Sequence, residues 1–285
     1  MTSTPDNFPP HLTLVTSVTG KTGSRVADRL ETLGLAFRPG SRSAEIPFDW
    51  SDRATWEPAL AGVDAVYLAF HPDLAATGAP DIIEAFVKAM ESAGIPRVVL
   101  LSGRGEPEAE ECENLVRNSG LGWTILRCNW FSQNFNEGGF LDYILAGIVT
   151  LPARDVPEPF IDADDIADVA IAALTDAKHL GEIYELSGPR GLTFAEATAE
   201  IGAALGREIV YAPSTRQEFI DSLNQYQMPL DQIDLLDYLF HTILDGRNSS
   251  ITDGVERALG RKPRDFADFA RAAAASGVWN SEDDR

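Results

Sequence analysis

The stretch Val15-Thr16-Ser17-Val18-Thr19-Gly20-Lys21-Thr22-Gly23-Ser24-Arg25-Val26 decides the fold. It follows a short apolar run, Leu12 to Thr16, and opens a helical pattern carried by Ala27, Leu30 and Leu33. A strand that turns through small residues into a helix leaves backbone N–H groups pointing outward at the positive end of the helix dipole, a site that suits a pyrophosphate. Gly20 and Gly23 hold the second and third positions of a G-x-x-G-x-x-G spacing, and Ser17 holds the first. A serine takes such a turn without strain while φ is negative; a positive φ costs about 1 kcal/mol or more. Thr16, Ser17, Thr19, Gly20, Lys21, Thr22 and Gly23 are therefore the expected diphosphate contacts.

Outward from this stretch, β-type runs alternate with helical patterns. Strands are expected at Leu12–Thr16, Leu35–Arg38, Glu45–Phe48, Ala65–Phe70, Arg97–Ser102 and Thr124–Cys128. Helices are expected between them at Gly23–Leu33, Ala54–Ala61, Asp81–Ala93 and Pro107–Ser119. Val63 to Phe70 is apolar at nearly every position, as a central parallel strand covered on both faces requires. The pattern predicts a Rossmann-type α/β fold, a doubly wound parallel sheet, with a smaller, mostly helical C-terminal substrate lobe. The expected division is a disordered tail over 1–10, a nucleotide-binding core over 11–155, and a C-terminal part over 156–285 that completes the core and forms the lobe. Within that part, Asp162-Ala163-Asp164-Asp165 starts a helix, and Glu182–Leu186 and Glu208–Tyr211 are expected strands flanking a Thr193–Leu205 helix.

Ligands of such sheets lie beyond the carboxyl ends of the strands, so the strand exits matter most. They add Ala69, Phe70 and His71, then Ser102 and Gly103, to the expected nucleotide contacts. His71 would relay a proton or touch a ribose, its ordinary pKa lying near 6.5. Arg104 would hold a substrate anion. Trp130 and Phe131 directly follow a strand exit and, with Phe135, Tyr143 and Phe160, would wall an aromatic substrate cleft.

The formal net charge of −21 argues against nucleic acid or an anionic membrane as partner. Cys112 and Cys128 have no metal-ligand spacing, His11, His179 and His241 are isolated, and no metal site is expected. Two distant cysteines read as reduced thiols and a cytoplasmic protein. The polar leader carries neither a basic n-region nor an apolar h-region, and no apolar run approaches the ~18 residues of a membrane span. The composition leaves oligomeric state open.

Several motifs together resemble the NmrA-like branch of the atypical short-chain dehydrogenase/reductases, over nearly the whole chain. They are the Val15–Gly23 loop, Gly40-Ser41-Arg42-Ser43 with Pro47-Phe48-Asp49-Trp50, and Leu101-Ser102-Gly103-Arg104-Gly105. Further along come Leu126 to Phe135, Pro157 to Asp162 with Asp164-Asp165-Ile166-Ala167, and Tyr184 to Pro189. Ser17 and Cys128 depart from the pattern, where a first glycine and a proline are usual. The resemblance implies NAD(P)H-dependent reduction of quinone, azo-dye, triphenylmethane or iminium compounds; other relatives sense NADP without clear turnover. It also implies that Asp49 caps the adenine amino group, that Ser102 is a substrate-binding serine, and that Asn129 meets the nicotinamide side.

The exit of the second expected strand, Phe37 to Ser43, carries no Asp or Glu for a ribose 2′-hydroxyl. Arg42 and Ser41 are suited to a 2′-phosphate, with Arg38, Ser43 and Lys21 nearby, so NADP(H) is expected ahead of NAD(H). No tyrosine is followed four residues later by lysine, so the Tyr-x-x-x-Lys pair that protonates carbonyls in related enzymes is missing. The sequence thus favours hydride transfer to a small, planar, electron-poor acceptor (iminium, quinone or azo). His71 and Ser102 are the candidate catalytic side chains. The rival readings are an NADP-sensing regulatory protein and a non-redox cyclase or isomerase on the same scaffold.

Overall fold

The computed structural model describes residues 8–280. The expected tail over 1–10 and the acidic end Glu282-Asp283-Asp284 therefore lie mostly or wholly outside the described residues. Within the tail, Phe8 lies under the Arg97 guanidinium at 3.3 Å and Pro10 is buried, so these two positions are packed.

In chain order the elements are β1 (Thr13–Thr16), α1 (Lys21–Thr32), β2 (Phe37–Gly40), α2 (Trp56–Leu60), β3 (Ala65–Leu68), α3 (Ala79–Ser92), β4 (Arg97–Gly103), α4 (Pro107–Arg117) and β5 (Gly122–Cys128). They continue with α5 (Leu141–Ala146), β6 (Ile148–Val149), α6 (Ala163–Thr175), β7 (Ile183–Leu186), α7 (Phe194–Leu205), β8 (Val210–Tyr211), α8 (Arg216–Gln225), α9 (Leu230–Tyr238), α10 (Gly254–Leu259) and α11 (Phe266–Ser276). The chain forms two compact units that alternate along the sequence. Among the described residues the first comprises 8–128, 163–186 and 254–261, and the second 129–162, 187–253 and 262–280. The cut expected at 155/156 falls within the segment 129–162, and residues 163–186 and 254–261 of the C-terminal part lie in the unit that holds the sheet.

The first unit holds a six-stranded sheet in the order β2-β1-β3-β4-β5-β7, every neighbouring pair parallel. This is the Rossmann-type architecture read from the sequence. The chain moves outward from β1 to β2, then returns across β1 to β3, so the switch point lies at the carboxyl ends of β1 and β3. All four residues of β1 and of β3 are buried, as strands covered on both faces by helices must be.

The strand expected over Glu45–Phe48 does not form. The N–H groups of Ala44 and Phe48 both bond the Ser41 carbonyl, at 3.3 and 2.9 Å, so the segment folds back on itself. Phe48 enters the core as a single side chain, edge-on to Trp50 and Phe86. The sheet consequently ends at β2, and the loop after β2 closes directly beside β1. Gly40 makes that closeness possible: a Cβ there would stand 2.7 Å from the Val15 carbonyl oxygen and 2.8 Å from Thr16 Cα.

Charged side chains fasten the helices of this unit. Arg29 on α1 bonds Asp164 at 2.7 Å and Asp168 at 2.6 Å, both on α6, and Arg261, just past α10, reaches Asp165 at 2.7 Å and Asp168 at 2.5 Å. The acidic helix start read from the sequence therefore does more than favour the α6 dipole; it fastens α6 to α1 and to the segment after α10.

The second unit is mostly helical around an aromatic core. Its only regular strands among the described residues are β6 and β8, which pair in parallel. Phe135, Phe140, Phe160, Phe194, Phe240 and Phe266 pack with ring centroids 5.1–6.2 Å apart in successive pairs. The indole N–H of Trp279 closes the cluster by donating to the Phe135 carbonyl at 2.9 Å.

Candidate nucleotide site

The β1–α1 turn is built by close packing of backbone on backbone. A Cβ on Gly23 would stand 2.2 Å from the Ser17 carbonyl oxygen, and one on Gly20 would stand 3.2 Å from the same atom. The Gly20 N–H donates to that oxygen at 2.8 Å. Ser17 has φ of +50°, the left-handed region that a first glycine would enter freely. Its hydroxyl offsets part of the strain, donating to the Ala69 carbonyl at 2.9 Å, and this directs the side chain sideways to the β3 exit. Thr16 locks the same two strand ends, accepting the Ala69 N–H at 2.8 Å and sharing its own proton between the carbonyls of Tyr67 and Ala69, each at 3.0 Å.

The helix that follows offers its N-terminus without a competing ligand of its own. Gly20 is the N-cap, no side chain caps the first turn, that turn contains no acidic residue, and Lys21 is its first residue. By contrast α7 and α8 are closed by capping boxes, Thr193 with Glu196 and Thr215 with Glu218. A diphosphate fits the α1 end, where backbone donors, dipole and a lysine all favour negative charge. Thr22 is buried under the turn, and Thr19 and Gly20 are exposed on it.

At the β2 exit the expected cation pair separates. Arg38 is committed elsewhere: its guanidinium donates to the carbonyls of Ala59 at 2.7 Å and Ala61 at 2.8 Å, closing the end of α2. Arg42 is exposed and acts electrostatically on Asp49. The Ser41 and Ser43 hydroxyls lie 3.3 Å apart beside it. Asp49 accepts the N–H of Ser51 at 2.9 Å and its hydroxyl at 2.7 Å. These bonds and the Arg42 charge hold its carboxyl below the usual range. Asp49 thus forms a turn and presents an ionised carboxylate beside Arg42.

Further along the carboxyl edge, Phe70 is half-buried and edge-on to Trp50 at 5.0 Å, while His71 is exposed. The two side chains expected at the β4 exit are already engaged. Ser102 is buried and donates to Glu113 at 2.7 Å, and the same carboxylate is clamped by Arg127 at 2.5–2.9 Å. Its hydroxyl is spent inside the protein, which removes it as a candidate proton donor. Arg104 is buried against Glu185 at 3.1 Å, so its charge is balanced internally instead of awaiting a substrate anion.

In the second unit, the Asn129 amide donates to Glu158 at 2.7 Å and to the Asn248 carbonyl at 3.1 Å, shaping its own turn. Phe135 and Phe160 are 0% and 2% exposed, and are core rather than cleft walls. Trp130, Phe131 and Tyr143 keep partial exposure. The side chains that sequence reasoning passed over are Asp73 and Glu106, whose carboxyl groups meet at the exits of β3 and β4. No group of His, Cys, Asp and Glu suited to a metal ion occurs among the described residues. No helix among them is long and apolar enough to cross a membrane.

A family model described as NAD(P)H-binding matches residues 18–177, more than half of the chain. The chain belongs to the NAD(P)H-binding family. It is 34% identical to the uncharacterized oxidoreductase YesF of Bacillus subtilis, over 94% of this chain and 96% of that protein. It is 30% identical to the NAD(P)H azoreductase of Xenophilus azovorans, over 92% and 98% of the two chains. Its fold is shared with the NADPH complex of the Escherichia coli quinone oxidoreductase QOR2, at a TM-score of 0.75, 20% identity, and 92% and 99% coverage. The protein is thus an NAD(P)H-dependent oxidoreductase of this family, and its cofactor is a nicotinamide dinucleotide.

Proposed function

We propose that the protein is an NADPH-preferring reductase that passes hydride to a small, planar, electron-poor organic acceptor of iminium, quinone or azo type. The observation that carries the cofactor preference is the β2 exit, where exposed Arg42 stands beside Ser41 and Ser43 and residues 37–43 include no Asp or Glu. In this reading Gly20, Lys21, Thr22 and Gly23 hold the diphosphate, Arg42 and Ser41 the 2′-phosphate, and Asp49 the adenine edge. Ala69, Phe70 and His71 border the ribose on the nicotinamide side.

The bound cofactor supplies hydride; the chain supplies position. With Ser102 spent on Glu113 and no Tyr–Lys pair in the sequence, the acceptor must need little acid assistance. Trp130, Phe131 and Tyr143 of the second unit keep partial exposure, as surfaces for a flat molecule require, and the name of the azoreductase relative points to the same acceptor chemistry. The test is NADPH oxidation with a quinone, an azo dye and a cyclic iminium ion. Turnover of at least one class, with NADPH used more efficiently than NADH, is expected. Tight nucleotide binding with no oxidation by any of the three would overturn the reductase reading.

A further inference from the structure

On the opposite side of β1 from Arg42, the exits of β3 and β4 bring together two carboxyl groups 33 positions apart in sequence. Asp73 lies in the loop after β3, and Glu106 immediately precedes α4. Glu106 is only 7% exposed. Its carboxyl folds against bare backbone: a Cβ on Gly103 would stand 2.0 Å from Oε2 and 2.3 Å from Oε1. No protein donor reaches the buried Oε2. The Asp73 and Glu106 carboxyl groups act on each other electrostatically, and two such groups can hydrogen-bond only with a proton between them. Asp73 also accepts the Ala75 N–H at 2.8 Å, a bond that favours its ionised form; burial raises both carboxyl groups, Glu106 well above its ordinary value.

The surroundings reinforce this state. Burial, the facing Asp73, and the charges of Glu108 and Glu113 on α4 push Glu106 well above the ordinary carboxylate range. From β5, Cys128 faces Glu106 as a buried neutral thiol. The neighbouring cations are balanced already, Arg104 by Glu185 and Arg127 by Glu113. A positive charge brought beside Glu106 would therefore favour its ionised form.

Sheet order says which ligand brings it. A dinucleotide laid over the switch point with its adenosine end at β2 directs its other end over β3 and β4. Oxidised and reduced cofactor differ there by the positive charge of the oxidised ring. We propose that the Asp73–Glu106 pair is a proton-release site, in which Glu106 loses its proton when the cationic ring of oxidised cofactor lies at the ends of β3 and β4 and keeps it when the ring is reduced and neutral. This rests on the nucleotide reading of the site. The pair makes the relative affinity for the two redox forms depend on pH.

The test is calorimetric titration of the full-length protein with NADP⁺ and with NADPH, in two buffers of different ionisation enthalpy, repeated with Glu106→Gln and Asp73→Asn. The wild type should release up to one more proton per NADP⁺ than per NADPH, and its NADP⁺ affinity should rise by up to tenfold per pH unit relative to NADPH. Glu106→Gln should bind both forms with the difference abolished. Asp73→Asn, which removes the facing charge, should shift the pH-dependent region downward, a change that mere loss of structure would not give. Binding of both forms with equal proton release in the wild type overturns the proposal alone. Failure of both forms to bind overturns the nucleotide reading and this proposal together; binding of NADPH alone overturns this proposal only.

Discussion

The N-termini of α1 and α4 occupy equivalent places in one sheet, each following a strand exit, yet they are built for opposite charges. At α1 a glycine cap, a lysine and a first turn free of acids leave the helix dipole open to an anion. At α4 the cap is Glu106, Pro107 follows, and Glu108 and Glu110 fill the first turn. Both turns use a glycine at close quarters, but for different reasons. Gly23 admits a backbone carbonyl, whereas Gly103 admits a carboxyl side chain. The fold decides where backbone donors point; the residues of the first turn decide which acceptor they meet.

The sharpest way to break this comparison is at the two glycines. Gly23→Ala places a methyl 2.2 Å from a carbonyl that cannot move without opening the turn. It should cost about 3 kcal/mol of stability and at least a hundredfold in nucleotide affinity, read by thermal unfolding and by fluorescence titration. Gly103→Ala meets the end of a side chain instead, and should cost less because Glu106 can swing away. If the two losses are equal, the distinction between backbone and side-chain packing is wrong.

Arg42→Ala should weaken NADPH about tenfold and leave NADH nearly unchanged, as loss of one charge-assisted contact implies. Equal losses for both would remove Arg42 from the 2′-phosphate.

The acidic end can be sharpened by pH. The unfolded chain releases the Glu106 proton near the ordinary value of about 4.3, while the folded protein retains it. Stability should therefore fall as pH rises from there through the raised folded value, and Glu106→Gln should flatten that slope in urea unfolding. An unchanged slope would mean that the two carboxyl groups do not share a proton.

The smallest effect belongs to Ser17. Ser17→Ala keeps the strained φ and loses the bond to Ala69, costing about 1 kcal/mol. Ser17→Gly relieves the strain, loses the same bond and loosens the unfolded chain, so its net change should stay within about 1 kcal/mol. A Ser17→Gly protein markedly more stable than the wild type would show that the hydroxyl offsets little of the strain.

What was legible in the sequence was local. The β1–α1 turn could be read because strand, glycines and helix lie within a dozen consecutive residues, and the alternation of runs gave the parallel sheet. Glu45–Phe48 misled because an apolar residue buried from a folded-back loop looks the same, in periodicity, as one buried from a strand. Arg38 and Arg42 could not be separated, since only the position of α2 shows which one is occupied. Phe135 and Phe160 look like cleft aromatics until their neighbours Phe194 and Phe266 arrive from later in the chain. Asp73 and Glu106 were invisible as a pair because parallel strands bring their exits together through topology alone.

The ion pairs among Arg29, Arg261 and the α6 aspartates bear on how the protein is made. The first unit is finished by β7 and by the segment ending at Arg261, so no fragment that stops earlier contains all of its parts. Arg29 on α1 is synthesised well before Asp164 and Asp168, its partners on α6, and these in turn before Arg261, which holds α6 from its other side. Cutting the gene after β5 to obtain a minimal nucleotide-binding domain would therefore leave α1 without its anchors and β5 as an open edge.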